Sequence, residues 1–303
     1  MIATARTEPS TPDRELVVER VYDAPRELVW ETWTDPKHLD RWWGPNGFRN
    51  ETHSMDLRAG GSWRYTMHGP DGKDWVNWIR YEEISKPDRL VYDHGGDTDE
   101  PLFHVTVTFT AQGKRTRVSM RSVWPTAEAL AAVMKYGVVE GGRQTMARLA
   151  GFLPHLADRS AEGSVVISRL LDAPPSLVFA AWSTPEGLAR WWGPKDFTLP
   201  TCEMDFRPGG AYRMVMRGPD GAEVPVHGHY REIVPDQRIA FDAAVGHEGR
   251  TIEVTTTVTF TEDDGKTLLT VRQTIPAAED AARGQLEGWN STLEKLGAAL
   301  RRT

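Results

Sequence analysis

The chain has 303 residues, of which 39% are hydrophobic and 26% charged, and a net charge of −7 at pH 7; this composition is typical of globular proteins and excludes disordered and fibrous ones. No run approaches the roughly 18 apolar residues of a membrane helix, which excludes a membrane-spanning protein. An acidic chain without a basic cluster is not expected to bind nucleic acid. The polar residues 1–14 lack the basic and apolar blocks of a secretory signal, and the single cysteine, Cys202, fits a reducing compartment, so we expect a cytoplasmic protein.

The first half of the chain begins with a predicted strand at residues 16–22, an apolar alternating stretch. Asp23-Ala24-Pro25 ends this strand and begins a helix, because proline is favoured in a first helical turn. A second short helix passes through Leu39 and ends at Arg41-Trp42-Trp43-Gly44-Pro45. About six short strands follow, separated by turn signals such as Gly69-Pro70-Asp71-Gly72.

A long helix closes each half, and its apolar residues recur at steps of three and four, which is typical of one buried helical face. In the second half these residues are Leu286, Trp289, Leu293, Leu296 and Leu300. In the first half they are Val139, Gly142, Met146, Leu149 and Leu153.

The motifs of the first half recur about 150 residues later, which indicates two copies of one domain. Asp-Ala-Pro recurs at residues 172–174, Arg-Trp-Trp-Gly-Pro at 190–194, Gly-Gly at 209–210 and Gly-Pro-Asp-Gly at 218–221. We therefore predict a flexible tail at residues 1–14, a first domain at 15–157 and a second domain at 158–303. Each domain is expected to be an α+β fold, in which a strongly twisted antiparallel sheet wraps around the long helix and leaves a pocket where side chains do not fill it.

The order of elements, together with these four motifs, resembles the Hsp90-ATPase-activator-homologue (AHSA1-like) branch of the START-like, or Bet v 1-like, SRPBCC superfamily. The resemblance covers nearly the whole chain and implies two tandem helix-grip domains with an apolar cavity under each long helix. Members of the branch include hydrophobic-ligand binders, lipid or polyketide handlers, resistance proteins and Hsp90 co-chaperones. The chain lacks the separate N-terminal domain expected of the eukaryotic co-chaperone, which disfavours an Hsp90-type partner. It also has Gly142 where the second copy keeps Trp289, so the two pockets are expected to differ.

Aromatic and methionine side chains on strand and helix faces are the candidate pocket lining, because flat rings bury much apolar area and an indole N–H can hold a polar ligand atom. Ordinary core packing is the alternative, and it is favoured for the adjacent tryptophans of each Trp-Trp pair. The candidates in the first copy are Trp43, Trp63, Tyr65, Met67, Trp78, Tyr81, Met120 and Met146. Those in the second copy are Trp192, Tyr212, Met214, Met216, His227, Tyr230, Phe241, Trp289 and Leu293.

Candidate catalytic and metal-binding groups are few. Glu83 and Glu232 occupy matching strand positions and are expected to share a strand face with Tyr81 and Tyr230, and a carboxylate inside an apolar cavity could act as a general base. His227 and His229 could share a strand face, but no further metal ligands stand at fixed spacing, and Cys202 has no flanking motif. We therefore expect no metal and no cofactor.

The sequence favours a cytosolic protein that holds an aromatic, polyketide-like or lipid-like small molecule. The alternatives are an enzyme of the cyclase, dehydratase or hydrolase kind and a co-chaperone of an Hsp90-type ATPase. The enzyme hypothesis requires Glu83 or Glu232 to point into the cavity, so outward-facing carboxylates would argue against it.

Overall fold

The structure, a computed structural model, describes residues 11–157, 164–247, 250–274 and 279–301. The chain divides into two compact units, one made of the residues up to Asp40 with Arg49–Met146, the other of Arg41–Phe48 with the residues from Ala147 onward. Each unit contains one seven-stranded antiparallel sheet, so the prediction of two tandem α+β domains is confirmed. The boundary after Ala157 stays a prediction, because residues 158–163 lie outside the described ranges.

Among the described residues, the first copy of the sequence repeat comprises residues 11–157 and the second copy comprises the residues from 164 onward. The first copy contains seven strands and four helices. In chain order these are β1 (Glu15–Tyr22), α1 (Arg26–Thr34), α2 (Pro36–Trp42), β2 (Arg49–Met55), β3 (Ser62–His68), β4 (Asp74–Ser85), β5 (Arg89–Gly95), β6 (Pro101–Gln112), β7 (Arg115–Val123), α3 (Ala127–Met134) and α4 (Val138–Ala157). The strand order in the sheet is β1-β7-β6-β5-β4-β3-β2, so the first strand pairs with the last and the rest form a meander.

The second copy repeats this plan. Its elements are β8 (Ser164–Leu171), α5 (Pro175–Ala180), α6 (Pro185–Ala189), β9 (Thr198–Met204), β10 (Ala211–Arg217), β11 (Glu223–Val234), β12 (Arg238–His247), β13 (Arg250–Asp263), β14 (Lys266–Thr274) and α7 (Glu279–Leu300). The strand order β8-β14-β13-β12-β11-β10-β9 is the same as in the first sheet. The helix α3 was not predicted; it begins where the Thr126 side chain accepts a hydrogen bond from the Ala129 N–H.

The matched motifs have matched structural roles. Pro25 and Pro174 adopt extended backbone and directly precede α1 and α5. The Gly-Gly pairs make the bend before the third strand of each sheet: Gly60 and Gly209 have φ of 80° and 79°, which side chains with a Cβ rarely adopt.

The predicted N-terminal tail is partly held in place. Residues 1–10 lie outside the described ranges, but Arg14 donates hydrogen bonds of 2.8 and 2.9 Å to the Trp124 and Pro125 carbonyls. Among the described helices, none is long and apolar enough to cross a membrane.

The core of each copy lies on the inner sheet face. In the second copy Ile167, Leu171, Val258 and Leu269 are buried there together with Leu293 and Leu296 of α7. The long helix therefore packs its predicted apolar face into the sheet, which is the helix-grip arrangement.

Candidate ligand-binding site

The second copy encloses a cavity of about 230 Å³ between α7 and the inner face of its sheet. Three kinds of element surround it: the loop after α6, the strands β10, β11, β12 and β14, and one face of α7. Its lining consists of Trp192, Gly193, Pro194, Tyr212, Met216, Val226, Phe241, Ala243, Gln273, Gly284, Gln285, Gly288, Trp289 and Thr292. Gly284, one of these lining residues, is exposed to solvent.

Four aromatic rings form most of the apolar wall. Trp289 of α7 meets Trp192 edge to face, with ring centroids 5.8 Å apart and planes at 85°. On the sheet side, Tyr212 meets Phe241 in the same way at 5.9 Å. Edge-to-face pairs of this kind are favoured by the ring quadrupoles and hold the rings in fixed orientations. The space between them is therefore a preformed, largely apolar cavity.

Hydrogen bonds fix the polar side chains of the lining. Tyr212 donates its hydroxyl proton to the Asp242 carbonyl at 2.6 Å, and burial raises the pKa of this tyrosine. Gln273 accepts a hydrogen bond from the Trp289 indole N–H at 3.3 Å and donates to the Thr256 hydroxyl at 3.0 Å. These contacts tie the aromatic wall on α7 to the sheet.

Gly228 makes room for the Tyr212 contact. It pairs directly with Tyr212 across β10 and β11. A Cβ at this glycine would lie 1.8 Å from the Asp242 carbonyl oxygen and 2.7 Å from the Tyr212 hydroxyl oxygen, so any other residue would displace both partners.

A lysine of α7 holds the loop that borders the cavity. The Lys295 ammonium lies 3.3, 3.1 and 3.2 Å from the carbonyl oxygens of Trp192, Gly193 and Pro194, and 2.8 Å from that of Phe197. Gly193 has φ of 90°. Burial lowers the pKa of Lys295. The ammonium of Lys295 thus holds the carbonyls of the Trp-Trp-Gly-Pro loop in place.

The first copy uses an arginine for the same purpose. Arg148 of α4 donates hydrogen bonds of 2.8 and 2.9 Å to the carbonyls of Gly44 and Pro45, and burial lowers its pKa to about 9. Sequence reasoning missed both cations. The repeat could have pointed to them, because both are basic and occupy matching positions. Arg148 lies six residues after Gly142, and Lys295 lies six residues after Trp289.

Five of the nine candidates in the second copy line the cavity: Trp192, Tyr212, Met216, Phe241 and Trp289. Met214 and Tyr230 are buried in the adjoining core, where the remaining void is only about 10 Å³, and Leu293 is buried on the face of α7 that packs into the core. His227 does not line the cavity. It is exposed, like His229, because Val226, Gly228 and Tyr230 take the inward positions of β11.

The first-copy candidates separate in the same way. Trp63 stacks on Tyr65 with ring centroids 3.9 Å apart, and Met67 follows on the same face of β3. Tyr81 meets Tyr92 at 6.2 Å. Trp78, which matches His227, lies on the outer face of β4, where its indole N–H donates to the Thr98 carbonyl at 2.6 Å. The alternation of strand residues therefore excludes Trp78 from the inner face.

The three remaining candidates of the first copy have individual environments. Trp43 is buried and meets Trp42 at 5.4 Å. Met120 is half-buried on β7. Met146 is buried, and its sulfur lies 3.0 Å from the Tyr22 hydroxyl oxygen.

A half-buried histidine in the first copy occupies the position of cavity-lining Ala243. His94 of β5 stacks on Phe103 with centroids 4.6 Å apart, and its Nε2 lies 3.0 Å from the Tyr65 hydroxyl oxygen. Burial lowers the pKa of His94 to about 4. The first copy thus places an imidazole where the second copy leaves space.

The two candidate general bases point away from the inner faces. Glu83 and Glu232 are exposed and lie 3.8 and 2.9 Å from the guanidinium groups of Arg89 and Arg238. A β-bulge in β4 after Tyr81, and another in β11 after Tyr230, reverses the alternation. The expectation that each glutamate shares a face with its tyrosine is therefore wrong. The Cys202 thiol is half-buried, and burial raises its pKa to about 11, which disfavours the nucleophilic thiolate.

Glu82, Asp93 and His104 bring three potential metal-ligating atoms within 4.8 Å of one another on the outer face of the first sheet. His104 Nδ1 lies 3.0 Å from an Asp93 oxygen. In the second copy the corresponding positions carry Arg231, which pairs with Asp242, and Thr255, whose hydroxyl donates to Asp242 at 2.9 Å. Both copies thus use this place for polar contacts between strands.

A protein-family model matches each of the two copies. The family described as activator of Hsp90 ATPase homolog 1-like protein has a model that matches residues 23–153 and 172–301. Among solved structures, the chain is similar to a protein from Arthrobacter aurescens at 27% identity, covering 48% of this chain and 90% of that chain with a TM-score of 0.45. It is also similar to a protein from Chromobacterium violaceum at 30% identity, covering 46% of this chain and 97% of that chain with a TM-score of 0.41. No curated protein matches the sequence.

Proposed function

The chain belongs to the activator of Hsp90 ATPase homolog 1-like family, and from that premise we propose that it binds a small hydrophobic molecule in the cavity of its second copy. The observation that carries the proposal is the aromatic cavity under α7, with Trp192, Tyr212, Phe241 and Trp289 in its wall. Apolar area removed from water supplies the binding free energy, at about 25 cal/mol for each Å².

The size of the cavity favours a compact ligand. A dry cavity of about 150 Å³ accommodates benzene, so the volume of about 230 Å³ suits a molecule of one or two fused rings. A long lipid chain would need considerably more space, because ligand pockets for larger molecules run to about 300–1,000 Å³. Within the range foreseen from the sequence, we therefore favour an aromatic molecule.

The two other functions considered from the sequence have less support. Glu83 and Glu232 are exposed and ion-paired, so they do not support an enzyme that uses either carboxylate as a general base. The co-chaperone hypothesis rests on the family description, and stimulation of an Hsp90-type ATPase by the purified protein would test it.

The test of the proposal is isothermal titration calorimetry with 2-naphthol, a two-ring probe, on the wild type and on Gly288→Phe. Gly288 lines the cavity, and a Cβ built on it meets no atom within 4 Å. A phenylalanine side chain at this helical position leans toward the N-terminus of α7, over Gly284, so we expect its ring to occupy the cavity. We expect saturable binding to the wild type and at least a tenfold loss in Gly288→Phe.

The matched control is Glu287→Phe, which adds the same side chain at the neighbouring exposed position of α7. This variant should bind 2-naphthol like the wild type. Absence of saturable binding to the wild type, or equal binding to Gly288→Phe, would contradict the proposal.

A further inference from the structure

The polar groups around the cavity restrict the chemistry of its ligand. Four polar side chains line it, Tyr212, Gln273, Gln285 and Thr292, and none of the described lining residues carries a charge. Moving a charged group into such a site costs several kcal/mol unless a partner of opposite charge receives it. The lining thus selects for an uncharged molecule.

Two of these side chains have already used their donors. The Tyr212 hydroxyl donates to the Asp242 carbonyl at 2.6 Å, and the Thr292 hydroxyl donates to the Gly288 carbonyl at 2.8 Å. Each hydroxyl has one proton but two lone pairs. Both oxygens can therefore only accept a hydrogen bond from a ligand.

The third side chain has a fixed orientation. The Trp289 indole can only donate, so the atom that faces it must be the Gln273 amide oxygen, and the amide nitrogen must face Thr256. Among the described residues, these two contacts leave one N–H and one lone pair of this amide for a ligand. Together with the two hydroxyls, Gln273 offers three acceptor atoms and one N–H donor, and the Gln285 amide adds a fourth acceptor oxygen and an NH2 group.

From this inventory we infer that the ligand is an uncharged aromatic molecule that carries a hydrogen-bond donor, a hydroxyl or a ring N–H. The inference rests on the proposed function and specifies it. A phenol-type hydroxyl both donates and accepts, so it can satisfy a hydroxyl acceptor and the remaining amide N–H. A molecule with acceptors only would leave the lone pairs of the Tyr212 and Thr292 oxygens without a hydrogen-bond donor after water has been displaced, which is unfavourable.

The first copy supports this assignment by contrast. Thr116 and Thr267 have the same role, since each donates to the carbonyl of its Asp-Ala-Pro alanine at 2.8 and 2.6 Å. Six residues further along the strand, the first copy has Ser122 and the second has Gln273. The first copy also lacks the partner of Gln273, because Gly142 stands in the position of Trp289. Both members of this hydrogen bond are thus present in the copy with the described cavity and replaced in the other.

The experiment is calorimetry at pH 7 with three probes of similar size: 2-naphthol, which has a hydroxyl donor, 2-fluoronaphthalene, which has none, and the anion 2-naphthoate. A single hydrogen bond contributes a net three- to tenfold in affinity, roughly. We therefore expect 2-naphthol to bind about three- to tenfold more tightly than 2-fluoronaphthalene, and 2-naphthoate to bind at least tenfold more weakly than 2-naphthol.

Variants identify the accepting oxygens. Tyr212→Phe and Thr292→Val each remove one hydroxyl with little change in shape, and the double variant should lower the ratio of the 2-naphthol and 2-fluoronaphthalene affinities to near one. The control Tyr230→Phe removes a hydroxyl from the adjoining packed core, and Thr292→Ser keeps the hydroxyl, so both should preserve the ratio. The single variants are measured too, which keeps the comparison informative if the double variant fails to fold.

The outcomes separate the inference from the proposed function. Equal affinity for 2-naphthol and 2-fluoronaphthalene, tighter binding of 2-naphthoate, or an unchanged ratio in the Tyr212 and Thr292 variants would overturn the inference and leave the binding function standing. Failure of every probe to bind the wild type would contradict the proposed function itself.

Discussion

At the scale of single residues, buried cations and polar groups determine the geometry around the site. Lys295 and Arg148 are chemically different, yet each extends from a long helix to the carbonyls of a Trp-Trp-Gly-Pro loop. A loop that directs several carbonyls toward one point needs a cation there, because converging oxygens repel one another. The loop in the second copy forms one wall of the cavity, so its cation links the stability of the fold to ligand binding.

Removal of the Lys295 ammonium should therefore affect both properties. We expect Lys295→Met to lower the free energy of unfolding by about 2 kcal/mol, the contribution typical of hydrogen bonds to a charged group, and to weaken 2-naphthol binding several-fold. Urea denaturation and calorimetry measure the two effects. Lys195→Met, on the exposed part of the same loop, should change neither. Lys295→Arg should be as stable as the wild type, because Arg148 has this role in the first copy. A Lys295→Met protein with an unchanged free energy of unfolding would refute the argument.

His94 predicts a pH dependence of stability in the first copy. Its pKa in the folded protein is about 4, below the ordinary value of 6.5, because burial disfavours the imidazolium. The unfolded chain therefore binds more protons between these pH values, and stability falls as the pH decreases from 6.5 toward 4. The loss amounts to about 3 kcal/mol at most.

Urea denaturation of the wild type and of His94→Gln at pH 7 and pH 4.5 tests this prediction. Glutamine does not titrate and can keep a hydrogen bond to Tyr65. The wild type should lose more stability than the variant on acidification, and equal losses would show that the imidazole of His94 does not resist protonation in the folded protein.

At the scale of elements, the long helices differ at their glycines. A Cβ on Gly288 of α7 would meet no atom within 4 Å, whereas a Cβ on Gly142 of α4 would lie 3.0 Å from Val18 Cγ2. The same substitution therefore has a different steric consequence in the two copies, although both glycines are interior to a helix.

Gly288→Ala should stabilise the protein by about 0.5–1 kcal/mol, because alanine restricts the unfolded chain and favours the helix. Gly142→Ala gains the same helix propensity but has to displace Val18, so its net effect should be near zero or destabilising. Thermal unfolding of the two single variants beside the wild type measures the difference. A similar rise in both melting temperatures would contradict this account of the packing at Gly142.

The strand patterns show how far the sequence could predict this site. Alternation on β10 correctly places Tyr212 and Met216 on the inner face, and helical spacing does the same for Trp289. Alternation could not place Glu83 or Glu232, because each follows a β-bulge whose extra residue reverses the faces. His227 and Tyr230 were both predicted to line the pocket, which requires them to share the inner face of β11. Residues three apart in a regular strand lie on opposite faces.

At the scale of the whole molecule, the repeated motifs predicted the duplication. They predicted the differences between the two copies only in part. Gly142 in place of Trp289 was visible in the sequence. That His94 of the first copy stands in the position of Ala243 was not recognised from the sequence. Whether a strand side chain fills a pocket depends on its neighbours across the sheet, and the sequence does not show these. Lys295 was missed for a similar reason: its partners are backbone carbonyls, which have no signature in side-chain sequence.

These differences predict a single class of binding site per chain despite the two copies. The imidazole of His94 stands in the place of Ala243, and the first copy lacks the pair formed by Gln273 and Trp289. Calorimetry of the full chain with 2-naphthol should therefore give a stoichiometry near one, and Gly288→Phe should remove nearly all of the heat. Two equivalent sites in the wild type, or about half of the binding capacity left in Gly288→Phe, would show that the first copy binds the probe as well. In that case His94→Ala, which recreates the residue of the second copy at this position, should tighten the additional site.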